Sequence, residues 1–168
     1  RYPYSDEHQR EFVRLWLSCG EIMFMSGDTG GALLGSLWAL DAAEQLGDVA
    51  AQATYNGLIA FLLDMLHMQP LARGYRQRAE HSLARIDDPA AALRGARLRG
   101  LAHMSRGEYA LAVRTHIECL TLAEQAGDEN SWLMSSQIMA SLHVVWAAHS
   151  RAEEVLVSLL TAADQKGV

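Results

Sequence analysis

The chain has 168 residues, 50% of them apolar and 20% charged, and a chain of this size buries roughly two-thirds of its unfolded surface in one domain. This excludes a mainly disordered chain. The net charge of −6, from 14 basic and 20 acidic residues, argues against general binding to nucleic acids or anionic membranes. The longest apolar stretch, 58–68, contains Asp64 and His67 and is shorter than the ~20 residues that a membrane-spanning helix needs.

The start of the chain and its cysteines bear on the predicted location of the protein in the cell. No charged-then-apolar leader opens the sequence, and the first residue is Arg1, so we expect a piece of a longer protein. The two cysteines, Cys19 and Cys119, do not make a disulfide framework in a chain of this size. Both are expected to be small buried hydrophobic residues. A reducing, cytoplasmic location is the resulting prediction.

Residues with turn and packing roles recur every 40 positions. In this register Ala32, Ala72, Ala112 and Ala152 coincide, and so do Asp48, Asp88 and Asp128. The best-matched segments, 27–48 and 107–128, lie two periods apart. The register predicts one domain, 1–168, made of four repeats at about residues 8–47, 48–87, 88–127 and 128–167.

Each repeat is predicted to be a pair of helices. Its apolar residues follow helical spacing, and the alternation typical of strands is absent. The first helix is expected to begin at 5–7, and Pro70 and the Asp88-Pro89 pair mark later helix starts. Gly47 and Gly127 suit the left-handed residue that ends a helix, so that the aspartate after each can cap the next one. With turns near residues 27, 67, 107 and 147, the sequence predicts an all-α fold of eight helices.

The first repeat resembles the tetratricopeptide-repeat (TPR) family. Its segment Trp16-x-x-Cys19-Gly20-x-x-Met23 is similar to the family pattern Trp-x-x-Leu-Gly-x-x-Tyr, and Ala32 stands where the family places an alanine. Small residues, which close helix packing demands, recur as Gly20, Ala60, Gly100 and Ala140. The period exceeds the family's usual 34 residues, as in the TPR arrays of bacterial multidomain signalling proteins and regulators. The resemblance implies a right-handed α-solenoid of four antiparallel helix pairs.

No spacing in the sequence supports catalysis, a cofactor or a metal. The glycines of 27–35 follow a helix and lack the GxGxxG spacing and the terminal Gly-Lys-Ser/Thr of phosphate loops, so they favour a turn. His103 and His143 occupy the same place in successive repeats, where packing between helices is expected, and neither belongs to a His-x-x-x-His pair. No nucleophile can be paired with a base. We predict a protein that is not an enzyme.

Resemblance to the TPR family places a binding groove on the first helices of the repeats, which line a concave face. The residues assigned to this groove are Arg14, Leu17, Glu21, Phe24, Met25, Phe61, Asp64, Met65, Arg94, Arg97, Leu101, Met104, Met134 and Gln137. All seven methionines lie in first helices or in the turns after them. They either make the groove adaptable or fill the core, and the sequence leaves both interpretations open.

Half of the basic residues are concentrated in one segment. Seven arginines and three acidic residues give 73–99 a net charge of +4, while the rest of the chain carries −10. The predicted basic patch consists of Arg73, Arg76, Arg78 and Arg85. It is either a solvated outer face or a docking patch for an acidic segment or a phosphate.

These observations predict a non-catalytic protein- or peptide-interaction and sensory module of a bacterial signalling or regulatory protein. The alternatives are a small-ligand or signalling-peptide receptor domain of a transcription regulator, and a self-association module. Self-association is suggested by four apolar residues, Val155, Leu156, Leu159 and Leu160. They are more apolar residues than one side of the last helix can bury, so they predict a homodimer through the C-terminal end. Neither a membrane nor a nucleic acid is expected as a partner.

Overall fold

The computed structural model describes residues 6–145, 155–158 and 161. Its helices are α1 (Asp6–Met25), α2 (Thr29–Leu46), α3 (Val49–Met65), α4 (Gln69–Leu83), α5 (Pro89–Ser105), α6 (Tyr109–Ala126) and α7 (Glu129–Val145). Residues 155–158 and 161 are helical too, and no strand occurs in the described part of the chain. The predicted all-α fold is confirmed. None of the helices that can be described is long and apolar enough to span a bilayer.

Aspartates cap the amino-terminal ends of four helices. Backbone N–H groups in the first turns donate to the carboxylates of Asp28, Asp48, Asp88 and Asp128 over 2.8–3.3 Å. Such a cap satisfies N–H groups that have no partner inside the helix. The caps predicted at Asp48, Asp88 and Asp128 are confirmed, and the glycine-rich segment that follows Gly27 is the start of α2.

Residues with positive φ end the helices and form the turns. Gly47 and Gly127 close α2 and α6 with φ of 66° and 65°, as predicted. The turns inside the first three pairs contain Gly27, His67 and Gly107, with φ of 85°, 59° and 72°. The turn predicted near residue 147 lies outside the described residues.

The helices form two compact units, Arg1–Asp87 and Asp88–Val168, and the boundary coincides with the predicted end of the second repeat. In the first unit α1 packs on α2, α2 on α3 and α3 on α4. In the second unit α5 packs on α6, and α6 on α7. Within the first unit α1 also touches α3, because the Tyr55 hydroxyl donates to the Val13 carbonyl. The handedness of a solenoid stays a prediction.

Each unit has its own core. The first is built from buried residues of all four helices, among them Val13, Leu40, Ile59 and Ala72. The second contains Leu93, Ala96, Cys119 and Ala123, with Leu122 and Trp132 at its edge. Cys119 is therefore buried as predicted. The same prediction is wrong for Cys19, which is exposed because it shares a solvent-facing side of α1 with Leu15 and Ile22.

Close helix approach occurs at only some of the predicted small residues. A Cβ at Gly100 would lie 2.7 Å from the His116 ring, whereas a Cβ at Gly20 would meet nothing within 4 Å. A closer approach occurs at Gly35, where a Cβ would lie 1.4 Å from a ring carbon of Trp16. The tryptophan of α1 therefore packs on a glycine of α2.

Candidate functional site

Two residues assigned to the groove lie inside the first unit. Phe61 is 9% exposed, and its ring meets that of Phe24 edge to face with 5.6 Å between the centroids. The side chain of Asp64 is fully buried. The structure thus corrects the expectation that these two side chains line an open surface, because each has a packing or charge partner within its own unit.

The partner of Asp64 is Arg76, a member of the predicted basic patch. One guanidinium nitrogen, Nη1 of Arg76, lies 2.7 Å from both carboxylate oxygens of Asp64. The pair joins α3 to α4. Because Arg76 neutralises a buried carboxylate, it is a structural residue and does not belong to a docking surface.

The other groove residues of the first unit have varied surroundings. Arg14 is exposed and pairs with Glu11 over 3.3 Å, Leu17 packs against the core, and Met65 is exposed. The side chains of Glu21 and Met25 lie outside the described part of the structure. Among the assigned side chains that the structure describes in this unit, only Arg14 and Met65 are exposed.

In the second unit the assigned residues lie on α5 and α7, which one side-chain contact joins. Nη1 of Arg97 on α5 donates to Sδ of Met134 on α7 over 3.3 Å, which joins the two helices. Arg94, Met134 and Gln137 are exposed, and Arg97, Leu101 and Met104 are half-buried. We call these six residues, Arg94, Arg97, Leu101, Met104, Met134 and Gln137, the α5–α7 strip.

The methionines divide between the two interpretations that the sequence left open. Met65, Met68 and Met134 are exposed, whereas Met139 is 8% exposed and belongs to the interior. Met104 is half-buried. The residue type alone therefore does not identify the groove.

The remaining arginines of the basic patch lie on the surface of α4 or just after it. Arg73, Arg78 and Arg85 are exposed, and the guanidinium of Arg78 lies 5.6 Å from the ring centroid of Tyr75. None of these three has a carboxylate partner among the described residues. Arg99, in contrast, is bound to Glu118 over 2.5 Å.

A polar pocket of about 510 Å³ lies between α2, α3 and α4. One side is formed by residues that share one face of α4 and the segment just after it, namely Gly74, Gln77, Arg78, His81, Ser82 and Arg85. Glu44 of α2 and Gln52 and Asn56 of α3 form the rest. We call it the α2–α4 pocket. The arginines of the pocket are recognisable in the sequence as a basic cluster. The pocket itself is not, because its other side chains come from different helices.

Two titratable side chains of α6 are buried in the second unit. His116 and Cys119 of α6 are completely buried. Burial, with the charge of Arg97 as a second cause, lowers the pKa of His116 to about 4. Burial also raises the pKa of the Cys119 thiol to about 12, so this sulfur is not a ready nucleophile.

A charged cluster surrounds the turn between α5 and α6. Glu108 Oε2 lies 2.6 Å from both Nη2 of Arg106 and Nδ1 of His103. The hydrogen bond from Arg106 is the main cause that lowers the pKa of Glu108 to about 2. These contacts are local and cross the turn, so they organise it. The other histidine in this register, His143, is buried.

The residues predicted to drive self-association are described in part. Val155 is half-buried and Leu156 is 45% exposed. Leu159 and Leu160 lie outside the described residues. The homodimer stays a prediction.

Across the described residues, no three or more His, Cys, Asp and Glu side chains are grouped as metal ligands. A scan of the chain against models of protein families finds no match, and a search of curated proteins finds no similar sequence.

Proposed function

We propose that this chain is a TPR-like, non-catalytic interaction module that binds a peptide segment of a partner protein on the α5–α7 strip. The observation that carries the proposal is the contact between Arg97 and Met134. It joins the first helices of two successive repeats, which are the helices that form the binding face in arrays of this kind.

The side chains of the strip suggest what the segment contains. Arg94 is exposed and has no ion pair among the described residues, so it can bind a carboxylate through two parallel N–H donors. The exposed thioether of Met134 and the half-buried Leu101 and Met104 offer an adaptable apolar contact. The amide of Gln137 can donate to and accept from a peptide backbone. The partner segment therefore carries an acidic side chain next to apolar ones.

The resemblance to TPR proteins suggests the kind of protein to which the module belongs. The module belongs to a cytoplasmic bacterial signalling or regulatory protein, in which occupancy of the strip is passed to another part of that protein. The strip carries the binding, and the first unit contributes less because Phe61 and Asp64 are buried.

A displayed library of random short peptides tests the proposal. Enriched peptides are synthesised, and their dissociation constants are measured by fluorescence anisotropy for the wild-type chain, Arg94→Glu and Met134→Ala. Arg114→Glu is the matched control, because Arg114 is an exposed arginine on α6 of the same unit, outside the strip. We expect acidic, apolar peptides whose binding weakens about tenfold in the strip variants and is unchanged in the control.

Two results contradict the proposal. One is a library that yields no peptide with saturable binding. The other is a set of peptides that the strip variants bind as tightly as the wild-type chain does.

A further inference from the structure

The α2–α4 pocket has the size of a ligand site, and several of its polar and charged groups lack partners among the described residues. Its volume of about 510 Å³ is within the range of small-molecule pockets in proteins, which is roughly 300–1,000 Å³. It lies entirely within the first unit, among α2, α3 and α4. None of its lining residues belongs to the α5–α7 strip, so ligand binding here is independent of the proposed peptide binding.

Asn56 provides an acceptor that the protein itself does not use. The residue is 3% exposed, and its Nδ2 donates to the backbone carbonyl of Gln52 over 2.8 Å. That bond fixes the orientation of the amide, because a flipped amide would bring two oxygens together. Oδ1 of Asn56 is buried and has no hydrogen-bond partner among the described residues. Buried polar atoms in proteins are normally paired, so this oxygen offers an acceptor to a donor from outside the protein.

The charged residues of the pocket have no partners of opposite charge within the part of the chain that the structure describes. Arg78 and Arg85 form no ion pair there, and neither does Glu44 on the facing helix. Two guanidinium groups bind carboxylates well, whereas Glu44 disfavours a ligand that is only anionic. The ligand must therefore combine anionic groups with a cationic donor.

Gly74 leaves space in the pocket that packing does not require. It lies inside α4, where glycine is less favourable than alanine. A Cβ at this position would meet no atom within 4 Å, so no neighbouring helix needs the glycine. A larger side chain here would occupy the pocket.

We propose that the α2–α4 pocket binds a free acidic α-amino acid. The ammonium group donates to Oδ1 of Asn56 and to the carboxylate of Glu44, and the two carboxylates bind Arg78 and Arg85. The proposal assigns a use to Oδ1 of Asn56 and to the charged groups of Glu44, Arg78 and Arg85. It also gives part of the predicted basic patch a defined role.

Calorimetric titration of the chain with L-glutamate tests this assignment. We expect saturable binding that weakens about tenfold or more in the double variant Arg78→Gln/Arg85→Gln. Arg73→Gln is the matched control, because Arg73 is an exposed arginine of α4 outside the pocket lining. Gly74→Leu should abolish binding by filling the pocket, while Gly74→Ala should retain it. Glutarate, which lacks the ammonium group, should bind about tenfold more weakly than glutamate.

The assignment is overturned if glutamate gives no saturable heat. It is also overturned if the double arginine variant binds like the wild-type chain, or if glutarate binds as tightly as glutamate. Circular dichroism establishes that each variant is folded. Because the arginines are exposed, their variants decide the question even if Gly74→Leu does not fold.

Discussion

The imidazole of His116 lies against the backbone of Gly100, so close that a Cβ on residue 100 would be 2.7 Å from Nε2. Both ring nitrogens are buried, and neither has a hydrogen-bond partner in the part of the chain that the structure describes. The ring is therefore held by packing between α5 and α6, in its neutral form. Protonation would place a charge in the interior of the second unit beside Arg97, the second cause of the lowered pKa.

This burial predicts a loss of stability in mild acid. The pKa of His116 falls from its ordinary value of 6.5 to about 4 on folding, so between these values the unfolded chain binds more protons than the folded one. The free energy of unfolding should therefore decrease as the pH falls from about 6.5 to about 4, by on the order of 3 kcal/mol from this residue. Urea denaturation at a series of pH values measures the effect.

The variant His116→Leu has a similar volume and no titratable group, so this part of the pH dependence should disappear. His81→Leu is the control, because His81 is exposed on α4. If His116→Leu retains the full wild-type loss of stability between pH 6.5 and 4, the histidine is not the group responsible.

The packing of Trp16 on Gly35 predicts a strong effect of a single methyl group. In Gly35→Ala the new Cβ would occupy the space of the indole ring, since the built distance is 1.4 Å. The ring must move, and we expect a loss of at least about 2 kcal/mol in the free energy of unfolding. Gly74→Ala should be neutral or stabilising, because its Cβ meets nothing within 4 Å. Equal urea midpoints for the two variants would contradict the packing described.

The buried pair of Asp64 and Arg76 predicts non-additive mutations. Arg76→Met leaves the fully buried carboxylate without its guanidinium partner, and Asp64→Leu removes the charge that Arg76 neutralises. Each single variant should lose about 3–5 kcal/mol. The double variant should lose clearly less than the sum, because no unpaired charge remains. A double-mutant cycle from urea unfolding measures the coupling, and additive losses would show that the two residues act independently.

The helix boundaries could be predicted from the sequence because their causes are local. Asp48, Asp88 and Asp128 cap N–H groups within three residues of themselves, and Gly47 and Gly127 need only their own φ values. No distant partner decides these features. The 40-residue register therefore placed the ends of α2 and α6 correctly. It missed the end of α4, which stops at Leu83, three residues before the register's position 86.

Exposure and the pocket could not be predicted, because they depend on distant partners. Phe61 follows the spacing of a groove residue, yet it is buried against Phe24, which lies 37 positions earlier. The arginines of α4 are visible as a cluster in the sequence. That Glu44 and Asn56 face the same pocket follows only from the way α2 and α3 pack beside α4.

The turn between α3 and α4 contains the one residue other than glycine that has positive φ in the described part of the chain, His67, with φ of 59°. The equivalent positions in the neighbouring repeats are Gly27 and Gly107. A residue with a side chain is destabilised by about 1–2 kcal/mol in this left-handed conformation. Glycine avoids this strain, but part of the gain in stability is offset because glycine has more conformational freedom in the unfolded chain. We therefore expect His67→Gly to raise the free energy of unfolding by about 0.5–1 kcal/mol, with His67→Asn between His67→Gly and the wild-type chain.

Gly107→Ala makes the reverse change in the corresponding turn and should destabilise by about 1 kcal/mol. Urea unfolding of the three variants beside the wild-type chain checks the prediction. A His67→Gly variant less stable than wild type would show that the imidazole, whose Nδ1 lies 3.1 Å from the Met65 carbonyl oxygen, stabilises the turn by more than its backbone strain costs.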